Sequence, residues 1–158
     1  MKYSANLLRI DRVMGGYALM PALAALAWFM LSIPSVAART DFPAKRFPVG
    51  LAPQIAALPA NARIFAEDQV GGYIIYRFAG ARKVFLDGRA DFYGPDYCDR
   101  YLKLLTASPG WKDVIRSYGL THAVLRRNSV LIPALRDNGW STLATDANFV
   151  LLERPRQE

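Results

Sequence analysis

From Val13 to Ala38 the chain carries no charged residue over 26 consecutive positions, and Leu19, Met20, Leu23, Leu26, Phe29, Leu31 and Ile33 make the run strongly apolar. About 20 such residues span a bilayer as a helix rising roughly 1.5 Å per residue, so this segment limits the architectures open to the chain. Tyr17 stands near one end of the run and Trp28 toward the other, where interfacial aromatics sit. Gly15, Gly16 and Pro21 lower the helix quality, yet such residues are tolerated inside membranes. Lys2, Arg9 and Arg12 precede the run against Asp11 alone, which assigns residues 1–12 to a cytoplasmic flank.

Residues 13–38 are therefore expected to form one transmembrane helix, an uncleaved signal anchor, in the inner (cytoplasmic) membrane. A cleaved signal peptide is the competing reading, because Ser35-Val36-Ala37-Ala38 offers small residues to a peptidase. The run, however, exceeds the usual signal core of about 7–15 residues. Both readings send Thr40–Glu158 to the periplasmic or extracellular side. A buried core helix of a cytosolic protein is a third reading, opposed by the absence of any polar face.

Across 158 residues there is room for one ordinary domain beyond this segment and none for a multi-pass transporter. A hydrophobic content of 53% argues against disorder. Cys98 is the only cysteine and His122 the only histidine, which excludes an intramolecular disulfide and multi-cysteine metal sites. No metal site is expected. Residues 39–61, with Pro43, Pro48, Pro53 and Pro59, read as a membrane-proximal linker holding a short helix around Pro53–Leu58. Residues 62–154 are the extracytoplasmic domain and 155–158 a tail.

Within the domain, Arg63–Ala66 reads as a buried strand and Val70–Phe78 as a short apolar helix with Asp68 able to cap its start. The β-branched residues of 70–78 keep a strand as the weaker option. Lys83–Leu86 is a second strand. Tyr97, Tyr101 and Leu105 mark one helix, with Cys98 and Leu102 beside them. Trp111, Val114, Ile115 and Tyr118 mark another, with Ser108 as N-cap, Pro109 in the first turn and Gly119 as the stop. Thr121–Leu125 is a third strand, Leu131–Asn138 a short helix, and Trp140–Thr145 with Phe149–Glu153 a hairpin turning at Asp146-Ala147-Asn148. The alternation predicts a small Rossmann-like three-layer α/β domain with a mainly parallel sheet and an antiparallel edge hairpin.

Neither G-x-G-x-x-G nor G-x-x-x-x-G-K is present, only Gly71-Gly72, so no nucleotide cofactor is expected. The densest polar stretch is Asp87-Gly88-Arg89-Ala90-Asp91-Phe92-Tyr93-Gly94-Pro95-Asp96, after the second strand at the carboxyl edge where α/β sheets bind ligands. Asp68 projects from the same edge, so Asp68, Asp87 and Asp91 with Arg89 and Tyr93 can converge on a hydroxyl-rich or cationic ligand. Asp87 and Asp91 can also divide acid and base work or hold a hard divalent ion. The plainer reading has Asp87 capping the turn, Arg89 paired with Asp91 or Asp68, and Gly88, Gly94 and Pro95 shaping the loop. His122 reads as a core or edge histidine and Cys98 as a small buried hydrophobe. The part after Ala38 carries 17 basic and 12 acidic residues, a net of +5 that attracts anionic lipid headgroups or lipid-linked phosphates when it is not simply a solvated surface. Export disfavours a nucleic-acid partner.

The stretch Asn61-Ala62-Arg63-Ile64-Phe65-Ala66-Glu67-Asp68-Gln69-Val70-Gly71-Gly72-Tyr73-Ile74-Ile75-Tyr76-Arg77-Phe78, followed by Val84-Phe85-Leu86-Asp87-Gly88-Arg89-Ala90-Asp91-Phe92-Tyr93-Gly94, resembles a known module. It is similar to the carboxyl-terminal extracytoplasmic domain of bacterial multi-pass membrane proteins related to C-type glycosyltransferases, which use lipid-phosphate-linked sugars. The resemblance covers roughly Phe42 to Glu153 and continues through Pro109-Gly110-Trp111, Tyr118-Gly119 and Gly139-Trp140, with D-G-R-x-D-x-Y-G its most specific element. Those transferases carry their catalytic acid in the first extracytoplasmic loop of a large membrane domain that this chain lacks, so no catalytic residue transfers. The resemblance implies a stand-alone accessory version, one half of a split protein, or a remnant of a longer one. It implies placement outside the membrane and a structural or ligand-facing cluster of Asp68, Gly71, Gly72, Tyr73, Asp87, Arg89, Asp91 and Tyr93. The expected role is a non-catalytic accessory or binding domain in envelope glycan or lipid-linked sugar metabolism, with the membrane, a polytopic membrane protein and a lipid-linked sugar or glycan as its expected partners. Two alternatives stand beside it, a small periplasmic hydrolase or transferase working through Asp87, Asp91 and Arg89, and a structural interaction domain for a polytopic partner.

Overall fold

Arg63–Ala66 is short, apolar and bounded by Pro59 and Asn61 on one side and acidic turn formers on the other, and it forms the first strand, β1. A computed structural model describes Arg9, Arg12, Leu19–Ser32 and residues 42–155. Two units result, the first ending at Phe42 and the second beginning at Pro43.

In the first unit Leu19–Ser32 is a 14-residue helix, α1, whose large apolar side chains Leu19, Met20, Trp28, Phe29 and Leu31 are exposed. Residues 13–18 and 33–38 of the expected transmembrane segment lie outside the described residues. Among the described residues no helix is long and apolar enough to cross a membrane.

In the second unit a 3₁₀ turn, Val49–Leu51, leads into α2, Ala52–Ala56. Leu51, Ile55 and Leu58 are buried, so much of the segment expected to be a linker belongs to the folded domain. After β1 come α3, Asp68–Arg77, and β2, Lys83–Val84, then α4, Ala90–Tyr93, α5, Pro95–Leu105, and α6, Trp111–Tyr118. They are followed by β3, His122–Arg126, α7, Leu131–Arg136, β4, Ser141–Thr145, and β5, Phe149–Glu153. The helical reading of 70–78 holds and the strand option falls, because α3 buries Val70, Tyr73 and Ile74 at helical spacing. The expected second strand is shorter, ending at Val84, although the Phe85 amide still donates to the Ile64 carbonyl at 2.8 Å.

The five strands are ordered β2-β1-β3-β5-β4. β2, β1 and β3 run parallel, with Ile64 opposite both Val84 and His122, while β5 is antiparallel to β3 and β4 to β5. The sheet is thus mixed, with the hairpin at one edge. β3 and β5 are almost wholly buried, the continuous apolar signature of central strands, whereas edge strand β4 is largely exposed and carries a bulge between Thr142 and Ala144. Trp111, Val114 and Ile115 of α6 join Phe65, Phe85, Leu125, Leu152 and Trp140 in the main core.

The start of α6 differs from the sequence expectation. Gly110, at φ 91°, is its N-cap, and Ser108 instead closes a turn by accepting the Trp111 amide at 3.1 Å. Gly119, at φ 59°, ends the helix in the left-handed region, where glycine carries no side-chain penalty.

Candidate functional site

Two edges of the sheet matter, the carboxyl edge of the parallel strands, where the sequence points, and the amino edge opposite. At the carboxyl edge the chain leaves β2 through Phe85 and Leu86 into Asp87, which is only 5% exposed. Arg89 Nε and Nη2 donate to Asp87 Oδ2 at 2.9 and 2.6 Å, and the Arg89 amide and the Tyr93 hydroxyl donate to Oδ1 at 3.3 and 3.2 Å. The Arg89 guanidinium, first, holds the Asp87 carboxyl below its ordinary range against the opposing effect of burial. Burial and the nearby Asp87 charge push the Tyr93 phenol up. The carboxylate is therefore ionised and engaged from both oxygens.

Other predicted residues divide. Asp91 is exposed in the first turn of α4 and makes no hydrogen bond to the Asp87 cluster. Asp68 is exposed at the start of α3. Its carboxylate accepts the neighbouring Gln69 amide at 2.6 Å and its own amide donates to the Tyr101 hydroxyl oxygen at 3.1 Å, while the N-cap falls at Glu67 instead. Gly71 packs under the Leu86 carbonyl, Gly72 faces open space, and Tyr73 is buried with its ring 5.4 Å from that of Phe47. The structure thus unites Asp87, Arg89 and Tyr93 and leaves Asp68 and Asp91 apart.

Between β1 and β3, neighbouring strands whose connections leave to opposite sides, an open α/β sheet forms its ligand crevice at the carboxyl ends. Here that position is filled by the protein itself. Arg126 Nε, at the end of β3, donates to Glu67 Oε2, just past β1, at 3.0 Å, and its Nη1 reaches the Lys45 carbonyl at 3.3 Å. The Asn148 side-chain Nδ2 donates to the Ala44 carbonyl at 3.0 Å, which ties down the same segment. Residues 43–48 therefore cover the crevice between β1 and β3, a different place from the loop after β2 where the sequence reading put the ligand.

The amino edge is open. A cavity of about 430 Å³ is walled by Asn61, Thr121, His122, Glu153 and Arg154. A second, of about 210 Å³, is walled by Trp111, Lys112, Arg116, Trp140 and Arg154, and a third, of about 190 Å³, has Arg63, Lys83, Tyr97 and Tyr118. His122 sits opposite Glu153 in the β3–β5 register, 3% exposed, with Nδ1 2.8 Å from Thr121 Oγ1. Its Nε2 is buried without a hydrogen-bond partner, and the nearest carboxylate oxygen, Glu153 Oε1, is 3.8 Å away. An unmade bond at a buried polar atom costs about 1–3 kcal/mol, so this atom is the most conspicuous polar feature of the edge. Burial lowers the His122 pKa and the Glu153 charge opposes that shift, which leaves a neutral ring at neutral pH.

Sequence reasoning placed His122 in a core strand and missed the cavity beside it. The residues of these walls come from chain segments up to 96 positions apart, Pro59 and Pro155 among them, and no local pattern joins them. Among the described residues no group of three or more His, Cys, Asp or Glu side chains is disposed to hold a metal ion. No family model matches the chain, and comparisons with curated proteins and with solved structures likewise find no match.

Proposed function

We propose that the chain is a membrane-tethered, extracytoplasmic binding domain, non-catalytic by itself, that serves envelope glycan or lipid-linked sugar transfer beside a polytopic membrane protein. The observation that carries the non-catalytic part is the saturation of Asp87. General acid–base work needs a carboxyl free to exchange a proton with substrate, and two carboxylates that divide such work must flank the reacting bond. Asp87 is buried beneath Arg89 and Tyr93, and Asp91 stands outside the network. The D-G-R-x-D-x-Y-G stretch is accordingly a loop scaffold, and the resemblance it carries supports kinship of architecture rather than of chemistry.

Tethering is supported by the uncharged run from Val13 to Ala38, whose Leu19–Ser32 part is helical and exposes its apolar side chains, and by the basic residues before it. The order β2-β1-β3, with β1 inside, supports a Rossmann-like assignment for the parallel half of the sheet. Mild-detergent purification of the tagged full-length chain from its native membrane, with mass spectrometry of its partners and of its amino terminus, tests the proposal. An intact Met1 end with a polytopic transferase-like partner supports it. A soluble species starting near Ala38 without a partner removes the tether and the accessory role together.

A further inference from the structure

We infer that the two cavities beside Arg154 form one groove for a small phosphorylated sugar or polyol, a hydroxyl being held by His122 and Glu153 and the phosphate by Arg154 and Lys112. The inference rests on the reading of this chain as a binding domain and names the ligand class of that domain. The cavities share Arg154 and Pro155 in their walls, so their volumes of about 430 and 210 Å³ adjoin. Together they fall within the range of roughly 300–1,000 Å³ that small-molecule sites occupy.

The hydroxyl end follows from the hydrogen-bond inventory. Thr121 Oγ1 accepts the Arg63 amide at 2.9 Å, and its own proton has two acceptors, His122 Nδ1 at 2.8 Å and the Arg63 carbonyl at 3.3 Å. Thr121 and Nδ1 share one hydrogen bond whose direction depends on the tautomer, so Nε2 is a donor in one tautomer and an acceptor in the other, and in both it lacks a partner. Glu153 Oε1 at 3.8 Å is beyond hydrogen-bond distance. A hydroxyl meets Nε2 in either tautomer, and with the hydrogen on Nε2 it also donates to Glu153 through the same oxygen. A carbonyl meets only the tautomer with hydrogen on Nε2 and an ammonium only the other. The imidazole is 4% exposed and the Glu153 side chain 32%, so the carboxylate is the group that swings outward to admit the ligand.

The charged end follows from the cations. Lys112, Arg116 and Arg154 wall the smaller cavity, and Asp113 is ion-paired with Arg116. Lys112 and Arg154 remain as two positive charges, which match a phosphate better than a single carboxylate. Trp111 and Trp140 supply an apolar wall against which the C–H face of a sugar packs.

The test uses the full-length chain in mild-detergent micelles, labelled with ¹⁵N-histidine. His122 is the sole histidine, so the ring gives one pair of nitrogen signals. Glucose 1-phosphate is expected to move the Nε2 signal saturably and to change tryptophan emission, with inorganic phosphate changing the emission alone. Arg154→Gln, in the wall that the two cavities share, is expected to weaken the interaction about tenfold while circular dichroism stays unchanged. The same ring signal in nanodiscs of phosphatidylglycerol against phosphatidylcholine separates a lipid headgroup from a free ligand. A response confined to the nanodiscs assigns the groove to a headgroup, and a response to glucose 1-phosphate assigns it to the soluble ester. A ring signal unmoved by both probes at millimolar concentration overturns the groove, and co-purification of a polytopic partner then keeps the binding-domain reading standing without it.

Discussion

Gly71 lies directly beneath the Leu86 carbonyl, and a Cβ built on it would meet that oxygen at 2.1 Å. Helix α3 is pressed here against the chain leaving β2, just before Asp87. Gly71→Ala must push the helix off the strand end and is expected to cost about 1–3 kcal/mol, as overpacking against a rigid group does. Gly72 has nothing within 4 Å of the corresponding position. Gly72→Ala is expected to stabilise α3 by up to about 1 kcal/mol, the helical preference of alanine over glycine. Denaturant unfolding of the two variants checks both signs.

Asp87 contributes stability only while ionised. Its folded-state pKa is held below the unfolded value by Arg89, so the contribution is present above the unfolded value of 3.8 and is lost as pH falls through the lowered one. Asp87→Asn is expected to cost about 1–3 kcal/mol at pH 7, and its melting temperature should converge on that of the parent in strong acid. Tyr93→Phe, which removes one bond to Oδ1, is expected to cost about 1 kcal/mol. A constant gap between parent and Asp87→Asn down to the acid limit would exclude this account.

His122 has the same pH sense as Asp87 in a higher range. Its folded pKa lies below the unfolded value of 6.5 because burial penalises the charged ring, so protonation favours the unfolded chain and stability declines as pH drops below about 6.5. Glu153, facing the ring across the β3–β5 pair, opposes the shift, while Arg154 in the same cavity wall adds positive charge. Glu153→Gln should therefore steepen the loss of stability between pH 7 and pH 5, and His122→Asn should flatten it. Thermal melts across that interval measure both slopes.

Arg126 joins the end of β3 to Glu67 and to the Lys45 carbonyl, and its guanidinium lies 5.3 Å from the Phe149 ring centroid. Arg126→Ala is expected to cost about 1–3 kcal/mol by leaving the half-buried Glu67 carboxylate without its cation. It should also loosen residues 43–48. Limited trypsin digestion checks this, with faster cleavage after Lys45 or Arg46 expected in the variant.

How much of this was legible in the sequence differs between elements. Strand β1, helix α3, the stripe of α6 and the hairpin at Asp146 each depend on residues within a few positions of one another, so periodicity and turn chemistry marked them. Asp146 shows why, since its Oδ1 accepts the Asn148 and Phe149 amides at 2.8 and 2.7 Å, an interaction closed inside four residues. The residues of the Asp87–Arg89–Tyr93 cluster stand within seven positions, yet Arg89 pairs with Asp87 and not with Asp91 or Asp68 as the sequence reading expected. Asp91 misled because the chain after Arg89 winds into α4, in whose first turn Asp91 is exposed.

The sequence by itself determined the alternation of strands and helices, the uncharged amino-terminal run and the local Asp87 loop, because each is set by neighbours along the chain. Tertiary structure alone decided that residues 43–48 fold over the β1–β3 crevice and that His122, Glu153, Trp111 and Arg154 gather at the opposite edge. Those placements depend on which strands pair and how far each runs. The register that sets His122 opposite Glu153 is fixed by burying Val124 and Leu125 against Leu151 and Val150, a condition of the whole core.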